Sequence, residues 1–280
     1  MEDMLLVFGI TVAGVLGGAL LLHGVGKVGG GLAAACCRAP GLDVIVTWFT
    51  VLPWLLGAVF FGWWGVLGGI AGQVVGLTVW GWGHELSRRG TRKGPRIVKV
   101  LNGLVGRPRN HAALWVTTLA VPVFWMVRVA ELAAYPPLVW LVRFPRYKSG
   151  EWINVSRQKF NGLVGHDLVW CLYCDWMTGV WSLGTEMLRN VESFWCPIRF
   201  SDTNKCANCS IDFPDVFGGW VDADKSMGDV TRVLEEKYTG QQRYSWFGHP
   251  SRTESGRVQV TIEGEGSSRR DRADHGEDAG

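Results

Sequence analysis

The chain has 280 residues, of which 48% are hydrophobic and only 19% charged, with 38 glycines, 16 tryptophans and a formal net charge of +3. That composition counts against an ordinary soluble domain and for a membrane protein, where glycine and interfacial tryptophan are both enriched. The small net charge excludes no class of partner, and its distribution along the chain says more.

Ahead of His84 the ionisable groups are sparse: Glu2, Asp3, His23, Lys27, Arg38 and Asp43. Residues 4–22, MLLVFGITVAGVLGGALLL, form an uncharged run of the length that crosses a bilayer core, about 20 residues of helix. A cleaved signal peptide would have a basic start and a shorter apolar stretch. This one starts on Glu2 and Asp3, so a retained span is expected. Residues 44–83 are apolar almost throughout. As one helix they would be roughly 60 Å long, about twice the hydrocarbon thickness. Two spans are expected, with the break near Gly62-Trp63-Trp64-Gly65, where paired indoles suit the headgroup level. Ala13/Gly17, Gly14/Gly18 and the series Gly68, Gly72, Gly76 repeat every four residues. Such spacing lets helix backbones approach closely in lipid, within a bundle or across a homo-oligomer or partner face.

From His84 to Arg109 the chain carries eight basic residues against one acid, Glu85. Lys and Arg are retained on the cytoplasmic side. This basic segment is therefore expected inside, with the acidic N-terminus outside and the loop bearing Lys27 and Arg38 also inside. A charge cluster beside anionic lipid explains the segment without invoking nucleic acid. Residues 112–142 contain an apolar stretch broken by Pro122, then Arg128 and Glu131 at a spacing that lets them pair on a helix. Tyr135-Pro136-Pro137 follows, and both flanks are basic. A broken, re-entrant or interface-lying element is expected, with a tilted span as the alternative.

Between His166 and Trp195 the helical period is clear. Asp167, Cys171, Cys174, Asp175, Thr178, Glu186 and Glu192 fall on one polar stripe, and four tryptophans fall on the other face. The helix ends before Pro197, which cannot continue it. Cys171 and Cys174 lie in WCLYCDW, and after 31 intervening residues Cys206 and Cys209 lie in KCANCS. The second pair sits among turn-forming residues, so it is expected in a loop returning beside the helix. Two such pairs suit a tetrahedral Cys₄ ion, usually zinc, with iron as the alternative. The arrangement resembles a zinc ribbon over about 40 residues at motif level only. The linker is longer than usual, and Asp175 and Ser210 stand where a knuckle would carry glycine. His166 or Cys196 could replace one ligand. Cys36-Cys37 lie after the first span, where lipidation competes with the plainer reading of unmodified residues. A carboxylate metal site using Asp167, Asp175, Glu186 and Glu192 lacks the Glu-x-x-His pattern. A dithiol redox pair would sit closer to the helix N-terminus than Cys171 does.

NGLVG occurs at 102–106 and again at 161–165, each copy marking a turn. A Gly-Gly-Trp turn and a short helix at 229–238, capped by Asp229, are expected next. RVQVTIEG at 257–264 alternates as a strand does, and the charged Gly/Ser-rich tail that follows reads as disordered.

The expected fold is mainly α: a multi-span transmembrane helical half, then a small α-rich cysteine-containing domain with a long amphipathic helix and a disordered tail. By residue it divides into three transmembrane helices (1–84), a basic cytoplasmic loop (85–111), a broken membrane or interfacial element (112–148), the amphipathic-helix and Cys-x-x-Cys domain (149–250), and the strand and tail (251–280). The expected setting is the cytoplasmic or inner membrane, with the cysteine domain on the cytoplasmic side. Three functions compete. The first is a binding, scaffold or assembly module around structural zinc. The second is a redox protein using iron-thiolate or dithiol chemistry. The third is a transport component, disfavoured by the lack of ionisable groups within the first three spans.

Overall fold

The computed structural model describes residues 1–160, 162–202, 204–205, 219–240 and 244. Cys206 and Cys209, the strand expected at 257–264 and the charged tail lie outside the described residues. Within them the chain is helical, with only isolated bridges, Arg38 to Asn154 and Ile198 to Val221, in place of strands. Three helical stretches are long and apolar enough to cross a membrane: Glu2–Val28, Val51–Ser87 and Arg107–Leu141.

The first stretch is α1, Glu2–Val28, apolar on every side and buried only at Val7, Thr11 and Val15. A helix without a polar face needs an apolar surround. A short α2, Gly30–Cys36, leads to α3, Gly41–Phe49, and then to α4, Val51–Ser87. Inside α4 the backbone leaves helical geometry at Gly62, with φ 61° and ψ −147°. Glycine enters that left-handed region without a Cβ penalty. The chain reverses there: Gly57 meets the backbone of Gly65, and Gly69 meets that of Pro53. The break thus falls at the Gly62-Trp63-Trp64-Gly65 cluster. The descending arm is α3 and the start of α4, joined at a kink on Thr50. Carbonyls freed by a break need partners in an apolar medium. Gln73 supplies them, donating to the carbonyls of Phe49 and Thr50 while accepting from the Trp54 indole.

The returning arm packs along α1 in parallel. Gly68 touches the backbone of Met4, Gly72 lies against Phe8 and Thr11, and Gly76 lies against Val12 and Val15. Gly14 and Gly18 receive the ring of Trp48, whose Nε1 donates to the Gly14 carbonyl at 3.1 Å. Most of the four-residue glycine spacing is therefore used inside the bundle. Ala13/Gly17 differs: both residues are exposed, and nothing lies within 4 Å of a Cβ placed on Gly17. This arrangement sets the N-terminus and the Gly62 reversal at one end of the bundle. The segments bearing Lys27, Arg38 and Arg88 gather at the other.

The basic segment, expected as a loop, holds two short helices, α5 (Arg89–Lys93) and α6 (Ile97–Val105). One of its cations, Arg96, is buried. Gly106, with φ 88°, ends the first NGLVG copy and starts α7, Arg107–Thr117. A single 3-10 turn at Thr118–Ala120 joins it to α8, Val121–Ala133, whose first turn holds Pro122. A further break precedes α9, Tyr135–Leu141, which starts on Pro136-Pro137. The short α10 spans Ser149–Trp152.

The second NGLVG copy ends on Gly165, φ 51°, and releases α11, His166–Trp195, the whole periodic stretch as one helix. Its N-terminus touches Gly81 and Glu85, and Trp176 ten residues on donates to Asp43 at 3.2 Å. The N-terminal half of α11 therefore packs on the end of the hairpin that carries the basic segments. The stretch α7–α8 runs beside it in the same direction: His111 on His166, Trp115 on Trp170, Phe124 and Trp125 on Trp176, Val127 against Gly184. This rod, Ile153 and residues 39–46 provide most of the cover for the apolar face of α11, around a core of Trp176, Val180 and Leu183. The last described helix, α12, spans Met227–Tyr238. Its N-cap is Ser226, in a reciprocal capping box with Asp229. Asp229 is thus the third residue of that helix rather than its cap.

Candidate functional site

The platform formed by α11 is held by arginines that bind carboxylates. At its N-terminus Asp167 accepts from Arg96 Nε at 2.6 Å and from the Val98 amide at 3.1 Å. The same guanidinium reaches Glu85 at 2.9 Å and the Val164 carbonyl at 3.2 Å. Two turns later Asp175 pairs with Arg157 Nε at 2.7 Å and accepts from the amides of Ser156 and Arg157, each at 3.0 Å. Glu186 pairs with Arg189 at 3.1 Å. The three carboxylates point to three separate arginines, and among the described residues no group of three or more His, Cys, Asp or Glu side chains converges as metal ligands would.

Cys171 and Cys174 are both partly buried and line one cleft of about 270 Å³ between α6, α7 and α11. Arg157 and Thr117 share that cleft. The Cys174 sulfur lies 4.0 Å from the Thr178 hydroxyl. Burial pushes the Cys171 thiol above its ordinary range, with Arg157 acting in the opposite direction. A raised thiol pKa keeps the group protonated and a poor nucleophile unless a cation binds it. The structure brings these two sulfurs to one place. Their expected partners, Cys206 and Cys209, lie outside the described residues.

Of the substitute ligands, His166 lines the same cleft and Cys196 stands elsewhere. Cys196 is exposed at the far end of α11. A helical rise of 1.5 Å per residue separates it from Cys174 by roughly 33 Å. His166 accepts from the Trp170 indole at 3.2 Å and stacks edge-on against His111, with centroids 4.8 Å apart. It is a hydrogen-bonded structural histidine, and burial foremost, then His111, lowers its pKa. Cys37 accepts from Gln158 at 3.4 Å beside α2.

A second polar centre joins the platform to the bundle. Arg128, 1% exposed, reaches Asp43 at 2.7 Å and Glu131 at 2.7 Å. Trp176 donates to the other oxygen of Asp43. The Arg128–Glu131 pair follows from their spacing; Asp43 comes from 85 positions away. Its only signal in the sequence is a lone acid at the edge of a long apolar run. Arg96 was hidden differently, as one cation among eight in a segment that reads as solvated. No family model, curated protein or solved structure matches the chain.

Proposed function

We propose that this membrane protein carries a Cys₄ metal site, zinc in the first instance, formed by Cys171, Cys174, Cys206 and Cys209. On this reading it serves as a binding, scaffold or assembly module at the cytoplasmic membrane surface. The supporting observation is the position of Cys171 and Cys174, one turn apart on one cleft of a helix braced by Arg96 and Arg157. A loop bringing two further thiols would complete a closed tetrahedral site, and closed sites are structural. The gathering of Lys27, Arg38 and Arg88 at the end where α11 lies favours a cytoplasmic platform, since retained Lys and Arg mark that side. Helix α11 would then lie at the membrane surface, with its exposed Trp181 and Trp195 suited to the headgroup level.

A redox reading keeps one specific support: Arg157 stands beside Cys174, and that contact is the main reason its own pKa is raised. At Cys171 the same cation acts against the burial that raises the thiol pKa. Metal analysis of the purified full-length protein with an absorption spectrum separates the two. Colourless protein holding zinc, lost together with thermal stability in Cys206→Ser, supports the module. Visible iron-thiolate bands, or metal-free protein with titratable thiols, would replace it with the redox reading. A single-cysteine variant retaining only the exposed Cys196 reports the side: a membrane-impermeant thiol reagent should label it only after the cytoplasmic face is opened.

A further inference from the structure

A large cavity lies between the glycine-packed bundle and the α7–α8 rod, which touch where Trp125 donates to Thr50 at 3.2 Å. It has a volume of about 1310 Å³, well above the roughly 300–1,000 Å³ of ordinary small-molecule sites. Its wall on α4 runs from Ile70 to Arg88. At 1.5 Å per residue that is roughly 27 Å, close to the roughly 30 Å of a bilayer's hydrocarbon core and too long for a metabolite. The two ends of the cavity differ in chemistry. Toward the middle of the hairpin the walls are apolar, with Phe49, Ile70, Leu77 and Val121 among them, and Gln73 and Trp54 already bonded to each other. At the platform end Lys27, Arg88 and Arg107 line the mouth, all exposed, and none pairs with a carboxylate of a described residue. The one acid among the described lining residues, Glu85, is bound to Arg96. A long, largely apolar slot ending in cations is complementary to one class of molecule.

We propose that this cavity holds one anionic phospholipid. Its headgroup phosphate lies among Lys27, Arg88 and Arg107, and its acyl chains extend along α4 toward Gln73. The lipid fills the space between bundle and rod and couples the two parts of the protein. This assignment does not rest on the metal site, and Cys171→Ser/Cys174→Ser protein should retain the lipid.

The test is native mass spectrometry of full-length protein in mixed vesicles or detergent with phosphatidylglycerol and phosphatidylcholine of equal chain length. One phosphatidylglycerol should remain bound, preferred over phosphatidylcholine by about thirtyfold or more, as two or three near-surface cations supply. Lys27→Gln/Arg107→Gln should lower the preference by about tenfold or more, to what Arg88 alone supplies, while Arg88→Lys, which keeps the charge, should preserve it. Leu77→Trp, which fills the apolar slot, should lower retention of both lipids. If the double variant does not fold, by circular dichroism, Arg88→Gln alone carries the charge test. Equal retention of the two lipids by the parent protein, or an unchanged preference in the folded charge variants, would overturn the proposal.

Discussion

The bundle and the platform hold together by different physics. In the bundle, Gly57, Gly65, Gly68, Gly69, Gly72 and Gly76 are all buried, and helices touch through bare backbone. Lipid tails are as apolar as leucine, so close packing replaces the hydrophobic drive that water would supply. In the platform, the contacts are rings and ion pairs: Trp176 under Phe124 and Trp125, Asp167 on Arg96, Asp175 on Arg157. The first kind of contact tolerates no added atom. The second tolerates shape changes but no lost charge. Where the two regions meet, at Asp43, Arg128 and Glu131, both conditions apply.

That junction should give the largest effect. Arg128→Met removes the one cation between two buried carboxylates, and breaking a buried pair in this way costs about 3–5 kcal/mol. Thermal melting in detergent should fall steeply, and adding Asp43→Asn and Glu131→Gln to the variant should recover part of the loss. Parent-like melting of Arg128→Met would show that platform and bundle are not joined there. Next in size is the glycine face. A Cβ at Gly72 would stand 2.7 Å from Thr11 Cβ and 2.8 Å from the Phe8 carbonyl, so Gly72→Val must push α1 away. Overpacking of this kind costs about 1–3 kcal/mol. Gly17→Val, made where nothing lies within 4 Å, should melt as the parent does. Equal effects of the two substitutions would mean that glycine content, rather than the Gly72 contact, sets stability.

Local rules and long-range pairings were unequally legible in the sequence. Helix α11 can be read to its ends because its period is sustained and Pro197 lies just beyond it. The reversal at Gly62 follows from a length argument plus paired indoles. The Arg128–Glu131 pair follows from three-residue spacing. Periodicity, however, says which face is buried and not what buries it, so the cover that α7–α8 gives α11 had no local signature. The same holds for Asp43 with Arg128 and for Arg96 with Asp167, pairs brought together only by tertiary folding. At the helix of 227–238 the N-cap fell to Ser226 because a hydroxyl-carboxylate box satisfies two amides where Asp229 alone would satisfy one. Of the four cysteines expected to share a site, Cys171 and Cys174 line one cleft; Cys206 and Cys209 lie outside the described residues.

The smallest expected effect concerns pH, and it sharpens the contrast because the bundle has few groups to titrate. His166 is held neutral in the folded platform: burial and His111 lower its pKa, Arg96 acts in the same direction, and Asp167 and Glu85 oppose. The unfolded chain therefore takes up a proton near the ordinary value of 6.5 while the folded chain still resists it. Stability from this group is complete above about 6.5 and declines as pH falls through that value toward the lower folded one. Protonation also removes the lone pair that accepts the Trp170 indole. Melting compared at about pH 7.5 and about pH 5.5 should show a drop on acidification that is smaller in His166→Gln, which keeps an acceptor but cannot titrate. If both proteins lose the same amount, the acid sensitivity lies in other groups, and the N-terminus of α11 is anchored by the Arg96 cluster without help from its histidine.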